Sequence, residues 1–251
     1  HEFYYIIQER SREMAQIYEQ IGNHNKRNVL INKNNWGDDI KIDEELVKRN
    51  LLEIENNIAP CKPRIVGVTK YYGLEAIIKG YEVGLRDFGE SRAMDAIRKL
   101  EALPKEIREK SIFHFIGHLQ TNKVNKVVRY FDWIQSVDSL KVAEAISDSA
   151  LKYDKNIKIL LQVNNAGEKQ KSGYSKHALK NDLSKILKLK NIEVLGLMNI
   201  APLGGSDREL KMLFEDIRLF RDELEFQFSI KLPELSMGMS DDYKIAVDEG
   251  A

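Results

Sequence analysis

From Asp43 onward, short β-branched runs alternate with segments of helical period, and this alternation constrains the chain more than any other feature. It is the pattern that parallel strands joined by crossover helices produce. Seven runs read as strands: Arg64–Thr69, Leu85–Phe88, Ile112–Ile116, Trp133–Val137, Ile157–Val163, Ile192–Met198 and Glu234–Ser236. Between and after them, helical periodicity covers Leu74–Val83, Ala93–Leu100, Asn122–Tyr130, Leu140–Leu151, Lys176–Leu189, Arg208–Phe226 and Tyr243–Asp248. A right-handed repeat of this number calls for an eighth strand, because an unclosed parallel sheet leaves two edges of unpaired backbone groups. The expected fold is therefore an α/β, TIM-type (β/α)8 barrel. Its eighth strand is expected to be missing, since the chain stops at Ala251, where that strand is due to begin.

With 251 residues the chain is long enough for one such barrel. Residues 1–42 differ in character and are read as an extension. Tyr4, Ile7, Met14, Ile17 and Tyr18 fit one face of a helix, and the Asn-rich stretch Gly22–Asp39 reads as a loop. Residues 43–251 are assigned to the barrel.

Lys+Arg and Asp+Glu both number 39, so there is no net field to draw the chain to nucleic acid or to an anionic membrane. The longest apolar runs fall well short of the roughly 20 residues a spanning helix needs. A lone cysteine, Cys61, and the absence of any Asn-x-Ser/Thr site point to a reducing, cytoplasmic compartment, with a targeting peptide upstream of His1 left open. A small-molecule ligand and a monomer are the expectations.

In such a barrel, reactive groups sit where strands end. Lys70 ends the first predicted strand behind Ile65, Val66 and Val68. Partial desolvation there lowers a lysine pKa and leaves a fraction neutral enough to attack an aldehyde. By position alone, a solvated strand-capping lysine is the commoner reading, and position does not decide between them. Glu234–Asp242 (ELSMGMSDD) runs from a strand into a turn at Gly238 and a helix expected near Ser240. It reads either as a phosphate cradle or as an N-cap with an acidic first turn. Because Asp241 and Asp242 repel an anion at the helix end, a phosphate is placed nearer Ser236 and Met237. His114 and His118 lie on or beyond a strand, spread over roughly 13 Å, which does not suit one metal ion. His114 reads as lining the mouth or as a core histidine. Phe88–Ser91 and Gly167–Gly173 are further turns that could approach a ligand, whereas no dinucleotide or P-loop glycine motif follows a strand.

Taken in order, IVGVTK ending at Lys70, GLRDFGES, FHFIGHLQTNK, FDWIQSVDSLKVA, ILLQVNNAGEKQKSG, VLGLMNI and ELSMGMSDDYKIAVDEGA resemble the PLP-homeostasis protein family. Members of that family resemble the N-terminal barrel domain of alanine racemase. The resemblance implies pyridoxal 5′-phosphate (PLP) as cofactor, held as a Schiff base on Lys70, with Ser236 and Met237 seating the phosphate and His114 and Met198 facing the cofactor. It implies binding and delivery of PLP rather than turnover, with PLP, amino acids and PLP-dependent enzymes as partners. Racemisation needs an acid/base group on each face of the substrate, and alanine racemase draws the second from a domain not expected here. A PLP-dependent racemase or related enzyme is the alternative reading. Ser91 departs from the family's usual asparagine in the FGEN block, which shortens or removes one hydrogen bond at the site. Residues 1–42 have no counterpart in the family pattern, and the family continues past EGA with its last strand.

Overall fold

The computed structural model describes residues 3–6, 42–165, 172–202 and 204–251. Eight parallel strands form a closed ring in chain order: β1 (Phe3–Ile6), β2 (Arg64–Val68), β3 (Asp87–Glu90), β4 (Ile112–Phe115), β5 (Trp133–Val137), β6 (Ile157–Gln162), β7 (Ile192–Met198) and β8 (Glu234–Ser236). Around the ring run α1 (Glu44–Ile58), α2 (Leu74–Glu82), α3 (Ala93–Ala102), α4 (Lys105–Lys110), α5 (Val124–Tyr130), α6 (Leu140–Lys152), α7 (Lys176–Ile186), α8 (Asp207–Phe228) and α9 (Tyr243–Asp248). Among the described residues no helix is long and apolar enough to cross a membrane.

The seven strands read from the sequence all occur, in order. The expectation of a missing eighth strand is corrected, because the ring position between β8 and β2 is filled from the other end of the chain. Phe3–Ile6 pairs in parallel with Arg64–Gly67 on one side, and Phe3 with Ser236 on the other. Closure satisfies backbone edges that β2 and β8 otherwise leave open. Phe3–Ile6 thus belongs to the barrel rather than to an extension, and Tyr4 is in a strand, not a helix. Ile7, Met14, Ile17, Tyr18 and the Gly22–Asp39 stretch lie outside the described residues. The third strand of the ring begins at Asp87, two residues later than expected, because Leu85 still donates its N–H to Gly80 at the end of α2 and Gly84 turns the chain at φ 106°.

Two apolar layers divide the molecule. Alternate strand residues pack outward against the helices: Phe88 stacks on Phe113 at 5.9 Å, and Phe115 meets Phe131 edge-on at 5.4 Å. The long helix α8 illustrates how its face is chosen. A reciprocal cap between Ser206 and Glu209 starts it, Leu210, Phe214, Ile217, Phe220 and Leu224 recur at helical spacing and are buried, and Ser229 ends it in the left-handed region. Inside the ring a smaller cluster of Val66, Ile116, Trp133, Leu160 and Met198 fills the barrel, so the interior is packed and a ligand is confined to the mouth.

Candidate functional site

Lys70 follows β2 at the C-terminal mouth and is half-buried. Its Nζ lies 5.1 Å from the centre of the Tyr71 ring. Burial lowers its pKa from the ordinary lysine value, the Arg92 guanidinium acts in the same direction, and the Glu90 carboxylate opposes both. Arg92 also approaches the Tyr71 ring, at 5.5 Å, so two cations lie near one aromatic ring. Ser91 directly follows the neighbouring strand: Gly89 pairs with Val68, the last residue of β2, so the ends of β2 and β3 that lead into Lys70 and Ser91 lie side by side. The chain after β4 passes so close that a Cβ on Gly117 would sit 2.2 Å from the Ser91 carbonyl oxygen.

His114 lies deeper. Its side chain is fully buried inside the ring, its Nε2 is 2.9 Å from Asp87 Oδ1, and its Nδ1 is 3.0 Å from Gln135 Nε2. Gln135 Oε1 in turn accepts the Ser236 hydroxyl at 2.8 Å. The amide donates to Nδ1, which leaves the ring proton on Nε2 facing the carboxylate. Burial lowers the His114 pKa, against the opposing pull of Asp87. His114 therefore braces the barrel floor and does not line the mouth. His118 goes elsewhere: it is exposed and meets Asp138 at 3.2 Å and Ser172 at 3.1 Å.

Met198 and Ser236 are register partners at the ends of β7 and β8. Met198 belongs to the interior cluster and forms floor. Ser236 is turned inward to Gln135. Met237, one residue on, points the other way into the outer core, so only its backbone faces the mouth. Gly238 then takes φ 90°. The helix expected near Ser240 begins at Tyr243, and the Asp242 carboxylate accepts the Met239 N–H. Burial raises the Asp242 pKa, against the pull of the Met239 N–H.

The structure thus places Lys70 and Ser91 after two neighbouring strands on one side of the rim and Met198, Ser236 and the Met237 backbone on the other, with His114 beneath. Phe88–Ser91 is strand for most of its length, and of Gly167–Gly173 only Ser172 and Gly173 are described. Gln135 and Asp87 were not singled out in the sequence, although each follows from period-two alternation with Trp133 and Gly89. Ser240 was read only as a cap, yet its Oγ is buried without a hydrogen-bond partner. The residues present fit PLP in two respects. Among the described residues, Lys70 has no hydrogen-bond or ion-pair partner to displace, and the orphaned Ser240 hydroxyl lies in the turn expected to receive a phosphate.

A closed parallel barrel with an amine at its mouth defines a class, and the comparison with known proteins agrees: residues 42–248 match the family described as alanine racemase, N-terminal domain. The alanine racemase of Clostridium difficile 630 shares the fold, with a TM-score of 0.64 at 14% identity over 76% of this chain and 50% of that one. A pyridoxal phosphate homeostasis protein of Synechocystis sp. is 40% identical over 192 residues, 76% of this chain and 87% of the relative. PipY of Synechococcus elongatus PCC7942, solved with PLP bound, is 36% identical, with a TM-score of 0.73 over 82% of this chain and 94% of PipY. The chain belongs to the pyridoxal phosphate homeostasis protein family.

Proposed function

We propose that this protein binds PLP without turning over a substrate, holding it as a Schiff base on Lys70 and releasing it to PLP-dependent enzymes. PLP supplies an aldehyde that condenses with an amine, and a phosphate that needs hydrogen-bond donors. The observation that carries the reading is the state of Lys70: half-buried, beside Arg92, and with its pKa lowered by burial. A neutral fraction of its Nζ would supply the lone pair that condenses with the PLP aldehyde, with loss of one water. Ser240 Oγ and the Met237 and Gly238 N–H groups supply donors for the phosphate, while Ser91 lines the rim beside Lys70. Met198 keeps the floor apolar, and His114, held by Asp87 and Gln135, keeps it rigid.

The same geometry supports storage over catalysis. Both ring nitrogens of His114 are engaged, by Asp87 and Gln135, which withdraws that histidine from proton transfer at the mouth. The relatives named above as homeostasis proteins carry the same expectation. Release follows from reversibility: an amino acid or an acceptor enzyme's lysine competes with Lys70 for the aldehyde.

The test is the visible absorbance of the protein titrated with PLP, followed by borohydride reduction and peptide mapping. The expected result is one reduced adduct, on Lys70, and loss of the absorbance band in Lys70→Ala. An unchanged band in that variant rejects the assignment. Exchange of the Cα proton of any amino acid in a panel, in deuterated buffer, would reject the non-catalytic reading.

A further inference from the structure

The turn that carries Lys70 is gripped from behind by a second lysine. Lys99, on α3, donates to the carbonyl oxygens of Thr69 and Tyr72, each at 2.9 Å, and pairs with the Glu90 carboxylate. The Lys99 and Glu90 side chains are 12% and 1% exposed. Thr69 Oγ1 donates to the same Glu90 oxygen at 2.7 Å, and Tyr72 N–H closes the turn on Thr69 O at 3.0 Å. An ammonium has three N–H bonds, and these three acceptors use all of them. Thr69 immediately precedes Lys70, and Tyr72 follows it by two, so one cation holds the peptide units on both sides of the reactive residue.

From this arrangement we infer that Lys99, together with Glu90, is a positioning pair that fixes the 69–72 turn and so holds the Lys70 amine at the barrel mouth for capture of the PLP aldehyde. The inference rests on the reading of Lys70 given above. Lys99 is not itself a candidate nucleophile, since an ammonium with three acceptors has no lone pair to offer. Its effect is exerted through the backbone. Without Lys99, two carbonyls lose their donor, the turn gains conformations, and water reaches Lys70, which loses both orientation and desolvation. Glu90 has a distinct second effect: its charge raises the Lys70 pKa, so its removal and the removal of Lys99 are separable in a pH profile.

The experiment uses the full chain as wild type, Lys99→Met, Lys99→Arg and Glu90→Gln. PLP capture is measured by borohydride trapping on the Lys70 peptide. Separately, the reactivity of Lys70 in the PLP-free protein is followed against pH by competitive acetylation and mass spectrometry. For Lys99→Met the expected result is capture weaker by about tenfold or more, with the Lys70 midpoint rising toward that of a free lysine. Lys99→Arg, which still offers several donors, recovers part of both. Glu90→Gln weakens capture in the same sense while moving the Lys70 midpoint down, a combination that loss of packing alone does not produce. A folded Lys99→Met that captures PLP within about twofold of wild type with an unmoved midpoint overturns the inference. Should Lys99→Met fail to fold, unchanged capture and midpoint in Glu90→Gln overturn it instead. If wild type traps no PLP on Lys70, the Lys70 reading fails, and the role given to Lys99 falls with it. The acetylation profiles then still report whether Lys99 governs the turn, so the two failures are distinguishable.

Discussion

Inside the barrel, His114 Nε2 lies 2.9 Å from Asp87 Oδ1, with the imidazole fully buried. A histidine in this setting is a liability at low pH. Its pKa is lowered by burial, which outweighs the favourable carboxylate. The unfolded chain takes up a proton near pH 6.5 that the native state resists. The contribution of His114 to stability is therefore fully present above that pH and is lost as pH falls toward the depressed native value. Buried Glu90, whose pKa burial raises, has the opposite slope, so the effect is best isolated by difference. Melting curves of wild type and His114→Gln between pH 8 and pH 5 should converge on acidification, wild type losing more. Parallel curves across that range would refute the assignment of a neutral His114.

Lys70 gives the complementary prediction at the mouth. Burial comes first among the causes that lower its pKa and the Arg92 charge second. Replacing Arg92 by glutamine removes a like charge, which should move the pH midpoint for PLP capture upward and slow capture at neutral pH. Arg92→Lys keeps the charge and should leave the midpoint near wild type. Stopped-flow absorbance across pH 6 to 10 measures both.

The outcome at these two residues shows what could be read without coordinates. Strands β2 and β4 to β8 were legible because β-branched and aromatic residues bounded by turns state their own conformation. The closing strand was not: Tyr4 and Ile7 fit a helical face as well as an extended one, and only the vacant edges of β2 and β8 decide between them. The places of Lys70 and Ser91 in the fold were legible because each follows a strand that the sequence itself announces. Met237 follows the last strand, as its position in the sequence implies, but its side chain packs outward because alternation puts Ser236 inside. Lys99 was invisible, since its role is to reach two backbone carbonyls 27 and 30 residues away, and no local pattern encodes that.

Gly196 on β7 pairs with Glu234 on β8. A Cβ there would lie 1.7 Å from the Glu234 carbonyl oxygen, a backbone atom held in the ladder. Gly196→Ala must push the strands apart or bend β7, at a cost of about 3 kcal/mol. Chemical denaturation should show it, together with weakened PLP binding, because Met198 and the turn after Ser236 shift with their strands.

At the other end of the β7–β8 connection, helix α8 starts with Ser206 and Glu209 capping one another. Ser206→Ala should cost about 1 kcal/mol and leave PLP capture unchanged. In a double-mutant cycle with Glu209→Ala the two losses should sum to more than the double mutant shows, because each partner's bond depends on the other.

Ser91 offers a gain rather than a loss. It follows β3, the strand next to the one that leads into Lys70, in the block where the resemblance read from the sequence implies asparagine. Serine's hydroxyl reaches less far than a carboxamide, so a ligand group placed for asparagine is left with a longer contact or none. Ser91→Asn restores the reach, and one added hydrogen bond contributes about 1 kcal/mol, or about fivefold in affinity. The close passage of Gly117 against the Ser91 carbonyl fixes the backbone here, so the new side chain enters without moving the strand end. Equilibrium titration with PLP should give the tighter binding, and pyridoxal, which lacks the phosphate, tells where the contact falls. A gain for both places the new bond on the ring or its substituents, and a gain for PLP alone places it on the phosphate. Unchanged or weaker binding of both would mean that the rim at Ser91 does not face the ligand.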